Sequence, residues 1–163
     1  MFENIKVIAT DVDGVLTDGT FWWGANGEEL KRFSMADLTA VAMARKAGLH
    51  LAIVSGESSE AGMKLVQRYA DKLQIADVYK GCHDKAAAVT EFAARYRLDL
   101  SQVCFIGDDL LDIPAMEVAG VSVAPADAQT AARAKATVVT ASNGGSGVLR
   151  EVVERILRER ELS

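Results

Sequence analysis

Short apolar, β-rich runs recur along the chain at 5–9, 50–54, 76–79, 103–106, 121–124 and 137–140, each bounded by polar residues or glycine, and they predict strands. Between most of them the apolar positions change to helical spacing, as at Gly62, Leu65, Val66 and Tyr69 and again at Ala88, Val89, Phe92 and Tyr96. Nearly continuous apolar strands joined by helix-length crossovers predict a parallel sheet covered on both faces, so the fold class is α/β, doubly wound and Rossmann-like. One stretch breaks the alternation. Two short β-like runs flank Gly24-Ala25-Asn26-Gly27, and Asn-Gly is a strong hairpin signal, which predicts a β-hairpin flap over 17–34. A last helix over 146–159 carries Leu149, Val153, Ile156 and Leu157 on one face and charges of both signs on the other. Nothing reads as a repeat, a low-complexity segment or a linker, so a single domain is expected over 1–163.

Composition narrows the function classes. Half of the 163 residues are apolar and a quarter are charged, with only two prolines, as in a globular domain. Lysine and arginine total 18 against 23 acids, a formal charge of −5 with no clustering of cations, which disfavours nucleic acid as a partner. Apolar stretches are short, and MFENIKVIAT runs into a strand without the architecture of a signal peptide. The expected location is cytoplasmic, with no membrane partner. Cys82 and Cys104 lack partners at metal-ligand spacing and are read as buried apolar residues.

Open α/β sheets bind ligands beyond the carboxyl ends of their strands. There this chain places Asp11-Val12-Asp13-Gly14 with Asp18 beyond, then Ser55-Gly56-Glu57, then Gly107-Asp108-Asp109 with Asp112 beyond, and Lys85 opens the helix after the third strand. A lone aspartate after a strand is more often an Asx-turn or a helix cap. Asp-x-Asp-Gly is more specific, because the two acids point the same way in extended chain and the glycine permits close approach to a ligand. Several carboxylates converging on one sheet edge repel unless a cation neutralises them, and magnesium suits such an oxygen-ligand set. Lys85 compensates negative charge and can hold a phosphate oxygen, while the Ser55 hydroxyl and the Gly14 and Gly56 amides supply further donors to a phosphoryl group.

DVDGVLTD, VSG, Lys85 in HDK, and GDDLLD follow one another in the order of the four motifs of the haloacid dehalogenase superfamily of phosphohydrolases, and the chain resembles that family over almost its whole length. The resemblance implies that Asp11 is the nucleophile that becomes an aspartyl-phosphate and that Asp13 is the acid/base. It implies magnesium held by the Asp11 carboxylate, the Asp13 backbone carbonyl and Asp108, with Asp109 as an outer or alternative ligand. Ser55 and Lys85 would bind the phosphate.

Most members of that family insert a cap domain after the first or second motif, and this chain has no room for one. It therefore resembles the capless, usually tetrameric branch that acts on ulosonate phosphates, as NGEELKRFS, GDDLLDIPAMEVAGVSVAPADA and GGSGVLREVVERIL also imply. Two sugar-acid substrates stay open. Phosphatases of the eight-carbon octulosonate 8-phosphate typically continue the second motif with Gly-Arg, and those of the nine-carbon 2-keto-3-deoxynononate 9-phosphate with Gly-Glu, so Gly56-Glu57 leans to nine carbons. Arg68 stands where the nine-carbon enzymes hold substrate with a lysine, and Asp37 follows the hairpin at a further candidate substrate contact. Glu57 also fits a plain role as a favourable charge at a helix N-terminus.

Two rival readings are a phosphotransferase using the same aspartyl-phosphate and a non-catalytic regulatory or assembly module. Retention of Asp11, Asp13, Ser55, Lys85, Asp108 and Asp109 favours catalysis, and the lack of a cap favours water as acceptor. The aromatic run Phe21-Trp22-Trp23 on so short an element predicts exposed rings and hence a homo-oligomer, most simply a tetramer, with the hairpin in the contact. Packing of these rings inward on a helix over Met35–Lys46 is the alternative.

Overall fold

Alternate residues of the buried strands face opposite sides of one sheet, and helices cover both sides. The computed structural model describes residues 1–161. In chain order it runs β1 (Val7–Thr10), β2 (Trp22–Trp23), β3 (Glu29–Leu30), α1 (Met35–Lys46), β4 (His50–Val54), α2 (Glu60–Leu73), β5 (Asp77–Tyr79) and α3 (Lys85–Arg95). It continues with β6 (Val103–Ile106), α4 (Ile113–Val118), β7 (Val121–Ala124), α5 (Thr130–Lys135), β8 (Val138–Val139) and α6 (Val148–Glu161). The main sheet has six parallel strands in the order β5-β4-β1-β6-β7-β8. From β1 the chain goes first to one side and then to the other, so the switch point that creates a ligand crevice lies at the end of β1.

Two apolar layers hold the sheet. Ile8, Ile53, Cys104 and Ile106 pack with Val41 and Ala44 of α1, Val66 of α2, and Val152, Val153 and Ile156 of α6. On the other face Val7, Ala9, Val54 and Phe105 meet Val89 and Phe92 of α3, Met116 of α4 and Ala132 of α5. This is the expected doubly wound fold, and the strands at 50–54, 103–106 and 121–124 coincide with the apolar runs. β1 starts later than its run because the Ile5 N–H donates to Phe2 O at 3.1 Å in a turn, although Ile5 itself is fully buried. Among the described residues no helix is long and apolar enough to cross a membrane. Positions 162–163 of the domain expected over 1–163 lie outside the described residues.

The hairpin forms where the sequence places it, with Trp22 opposite Leu30 and Trp23 opposite Glu29 around a turn in which Gly27 has φ +87°. Its aromatics do not pack inward on α1. Trp22 and Trp23 are 71% and 74% exposed, and the half-exposed Phe21 ring lies against Trp23 at 4.9 Å between centroids. Phe33, after β3, is the aromatic that turns in, stacking on Tyr69 of α2 at 4.2 Å.

Asp37 is not at the ligand crevice. It is fully buried in the first turn of α1, where its Oδ1 accepts the Arg150 N–H at 3.1 Å. Burial pushes its carboxyl up, opposed by bonds from the Arg150, Gly147 and Leu149 amides at the start of α6. These amides have no partner within their own helix, so Asp37 joins two helices by capping one from the other. Asp37→Ala should therefore lower the unfolding free energy by about 1–3 kcal/mol, through stranded amides. Asp37→Asn keeps an acceptor, removes a buried charge and should cost much less. Denaturant titration of both variants is the check, and equal losses would refute the capping role.

Candidate active site

The carboxyl ends of β1, β4 and β6 open into a cleft of about 430 Å³ lined by Asp11, Asp13, Gly14, Ser55, Gly56, Glu57, Lys85, Asp108 and Asp109, together with Asp18, Leu111, Asp112, Asp127 and Gln129. Asp11 continues the β1 ladder through its N–H to Ile106 O at 2.9 Å. The chain then folds into a tight loop in which Leu16 and Thr17 both donate backbone N–H bonds to Val12 O. Gly14 is required in that loop twice over. Its φ is +81°, and a Cβ there would lie 2.0 Å from Asp108 Oδ2, so the missing side chain lets the β6 acid come against the β1 loop. From the far end of the chain, Gly145 backs the same loop, with its N–H on Val15 O at 2.9 Å.

Lys85 is the first residue of α3, set there by Asp84, whose side chain accepts the Ala87 N–H at 2.9 Å. Its ammonium is buried and bridges Asp11 Oδ2 at 2.8 Å and Asp112 Oδ1 at 2.6 Å. Ser55 is buried, accepts the Glu57 N–H at Oγ at 3.2 Å, and keeps its hydroxyl proton to donate. Gly56 borders the cleft, while the Gly14 N–H faces Thr17 Oγ1 at 3.4 Å.

Burial first, and crowding second, govern the charges here. Burial, then the neighbouring Asp112, pushes the Asp11 carboxyl up to about 7 despite the pull of Lys85. Burial, then Asp11, Asp112 and Asp109, pushes Asp108 up to about 8. Burial disfavours the Lys85 charge, yet Asp11 and Asp112 outweigh it and raise its pKa. Carboxylate oxygens of Asp11, Asp108 and Asp112 lie within 4.8 Å of one another, a cluster of hard donors that fits a divalent cation. Asp112 is already committed, accepting the Asp108 and Asp109 N–H groups at 2.8 and 3.1 Å as well as Lys85. Asp11 accepts one bond at each oxygen, from the Val12 N–H at 2.7 Å and from Lys85 at 2.8 Å, so each keeps a second lone pair to offer alongside the Asp108 oxygens. Asp109 Oδ1 accepts the Leu110 N–H at 2.6 Å and caps the turn beyond β6.

Asp112 had a visible signal as the last acid of GDDLLD, but its role as partner of Lys85 joins residues 27 apart and has no local pattern. Asp127 and Gln129 follow β7, where the strand-end rule applies equally. Lys31 had no signal. Its side chain is only 2% exposed and reaches from beyond β3 to Asp13 at 2.9 Å and Glu57 at 3.2 Å. Arg68 is not in the cleft. It is exposed on α2 and lines a separate groove with Lys31, Phe33 and Lys72. Cys104 is buried as expected, whereas Cys82 is only partly so, because it sits on the loop before Lys85 with Sγ against Asp84 O at 3.3 Å.

Residues 60–152 match the model of the haloacid dehalogenase-like hydrolases. The chain is 38% identical over 155 residues to the 3-deoxy-D-manno-octulosonate 8-phosphate phosphatase of Escherichia coli K12, covering 95% of this chain and 80% of that protein. Its identity to the Yersinia pestis enzyme of the same name is 40%, over 94% and 80% of the two chains. The crystal structure of 3-deoxy-D-manno-octulosonate 8-phosphate phosphatase from Yersinia pestis superposes with a TM-score of 0.92 over 98% of this chain and 84% of that one, at 38% identity. The Moraxella catarrhalis enzyme of that name, solved with a magnesium ion, a phosphate ion and a KDO molecule, gives 0.92 over 98% and 90% at 34% identity.

Asp11 and Asp108 bind protons more tightly folded than unfolded. With chelator present, this contribution to stability is intact below about pH 4 and lost as the pH rises through about 7 to 8. A divalent cation replaces those protons, so the rise in Tm that magnesium produces should be larger at pH 8 than at pH 5. Thermal unfolding with chelator and with magnesium at both pH values is the measurement. An equal rise at both would contradict the crowded-carboxylate account.

Proposed function

The chain belongs to the haloacid dehalogenase-like hydrolases, and on that premise we propose that it is a magnesium-dependent phosphatase that removes the terminal phosphate of an ulosonate sugar acid through an aspartyl-phosphate on Asp11. The observation that carries this reading is the Asp11 carboxylate, pinned by Lys85 at 2.8 Å at the foot of the acidic cleft beside Asp108. Asp11, Asp108 and the Asp13 carbonyl would hold magnesium, which when bound offsets repulsion between an attacking carboxylate and a phosphate dianion.

In the first step an Asp11 oxygen forms a bond to phosphorus as the bond to the sugar oxygen breaks, and Asp13 gives that oxygen its proton. In the second, Asp13 takes a proton from water as the water oxygen attacks phosphorus and the Asp11 carboxylate leaves. Lys85 keeps the nucleophile oriented, and Ser55 with the Gly56 amide holds the phosphoryl oxygens. The Escherichia coli and Yersinia pestis relatives are named for octulosonate 8-phosphate, which supports an eight-carbon substrate. Glu57 supports the nine-carbon reading, although its Oε1 is engaged by the Ser59 N–H at 2.8 Å and its Oε2 by Lys31.

Phosphate release from octulosonate 8-phosphate, nononate 9-phosphate and hexose phosphates tests substrate and mechanism together. The eight-carbon substrate should have the highest kcat/KM, activity should require magnesium, and Asp11→Asn should lose at least about a thousandfold while remaining folded. Near-normal turnover by Asp11→Asn would overturn the mechanism. Preference for a hexose phosphate would overturn the substrate.

A homo-oligomer, most simply a tetramer, belongs to the same reading, because a site without a cap is open to water and the hairpin beside it exposes Trp22, Trp23 and Leu30. Light scattering should give a multiple of the 17.4 kDa chain that Trp23→Ala shifts toward smaller species. A fully active monomer would refute it.

A further inference from the structure

Lys31 stands outside the motifs, yet it pairs with three carboxylates at once. Its Nζ lies 2.9 Å from one carboxylate oxygen of Asp13 and 3.0 Å from the other, 3.2 Å from Glu57 Oε2 and 3.5 Å from Glu29 Oε1. An ammonium centred on both oxygens fixes the tilt of a carboxylate as well as its position. Glu57 and Glu29 fix the ammonium in turn, one from the loop after β4 and the other from β3, where Glu29 Oε2 also accepts the Trp23 indole N–H at 3.3 Å. Next along the chain, Arg32 pairs with Asp18 at 3.3 Å, so the returning arm of the hairpin meets the β1 loop through successive cations.

We propose that Lys31 is a positioning residue for Asp13. It aligns the Asp13 carboxyl for proton transfer to the leaving oxygen and ties that alignment to the position of the hairpin, with Glu57 serving as the anchor of Lys31. This rests on the reading of Asp13 as the acid/base. A residue that acts through proton transfer is needed most where the leaving group is a poor one. A sugar alkoxide must be protonated as it departs, whereas p-nitrophenolate leaves without help.

The test compares kcat/KM for an alkyl sugar-acid phosphate and for p-nitrophenyl phosphate, both with magnesium, in the wild type, Asp13→Asn, Lys31→Met, Lys31→Arg and Glu57→Gln. Lys31→Met should lose at least about tenfold more on the alkyl than on the aryl substrate, following Asp13→Asn in direction. Lys31→Arg keeps the charge and should recover part of the alkyl activity. Should Lys31→Met fail to fold by circular dichroism, Glu57→Gln carries the test, since it removes one anchor of Lys31 and should show the same selective loss in smaller degree. Selective loss in Asp13→Asn combined with equal losses on both substrates in the Lys31 and Glu57 variants would overturn the inference and spare the acid/base reading. Equal losses in Asp13→Asn as well would overturn both.

Discussion

The structure depends on one electrostatic constraint, the crowding of Asp11, Asp108 and Asp112 at the end of the central strands around a single buried ammonium. Two unit charges about 4 Å apart interact by about 4 kcal/mol at an effective dielectric of 20, so three carboxylates cannot share that volume without compensation. Lys85 supplies the internal part by bridging Asp11 and Asp112. Asp112 spends its other oxygen on the Asp108 and Asp109 amides, which fixes the turn that carries Asp108 to the β1 loop. Burial first, and the remaining excess of negative charge second, raise Asp11 and Asp108 above the usual carboxylate range. A site in that condition is predisposed to a hard cation, and the same arrangement fixes the Asp11 carboxylate at the foot of the cleft, so one group of contacts sets both its charge and its orientation.

The range of each interaction decides how much of this was legible in the sequence. Strands at 50–54, 103–106 and 121–124 were readable because their burial is a local, continuous apolar signal. Asp11, Ser55, Lys85 and Asp108 were readable because a parallel sheet delivers every strand end to one edge, so that position along the chain stands in for position in space. Asp37 misled for the opposite reason. Nothing near it announces that residues 147–150 supply its partners, and a buried capping carboxylate looks the same in sequence as a substrate contact. Arg68 was placed by analogy with other chains, and the orientation of α2 puts it in a neighbouring groove. Lys31 was invisible because its meaning arises only when the hairpin folds back over the β1 loop.

The hairpin itself is too short to be stable alone, with two residues in each strand. The three residues after β3 determine its placement. Lys31 reaches Asp13 and Glu57 at the edge of the cleft, Arg32 reaches Asp18 across the surface, and Phe33 stacks on Tyr69 against the core. These contacts differ in kind. The Phe33 stack is apolar and insensitive to salt, and it fixes the root of the hairpin. The Lys31 ammonium is shielded from water and its contacts are directional, whereas Arg32 is 65% exposed and its pair is weak and readily screened.

Such a gradient suits an element that stays registered to the β1 loop while bordering an open cleft. An apolar contact between hairpin and cleft would have bound the flap as firmly, but it would have placed a dry surface at the edge of a polar, acidic cleft. The outer face of the hairpin carries no such demand. There the cross-strand pair Trp22 and Leu30 stands exposed, while Trp23, also exposed, shares the side of its partner Glu29, so the ribbon sets charge from Glu29 and Lys31 on one face and apolar area on the other. The alternation that produces this division is the ordinary two-residue period of extended chain, with Leu30 turned outward and Lys31 inward, and the acids beneath supply the reason that the inward position is a lysine.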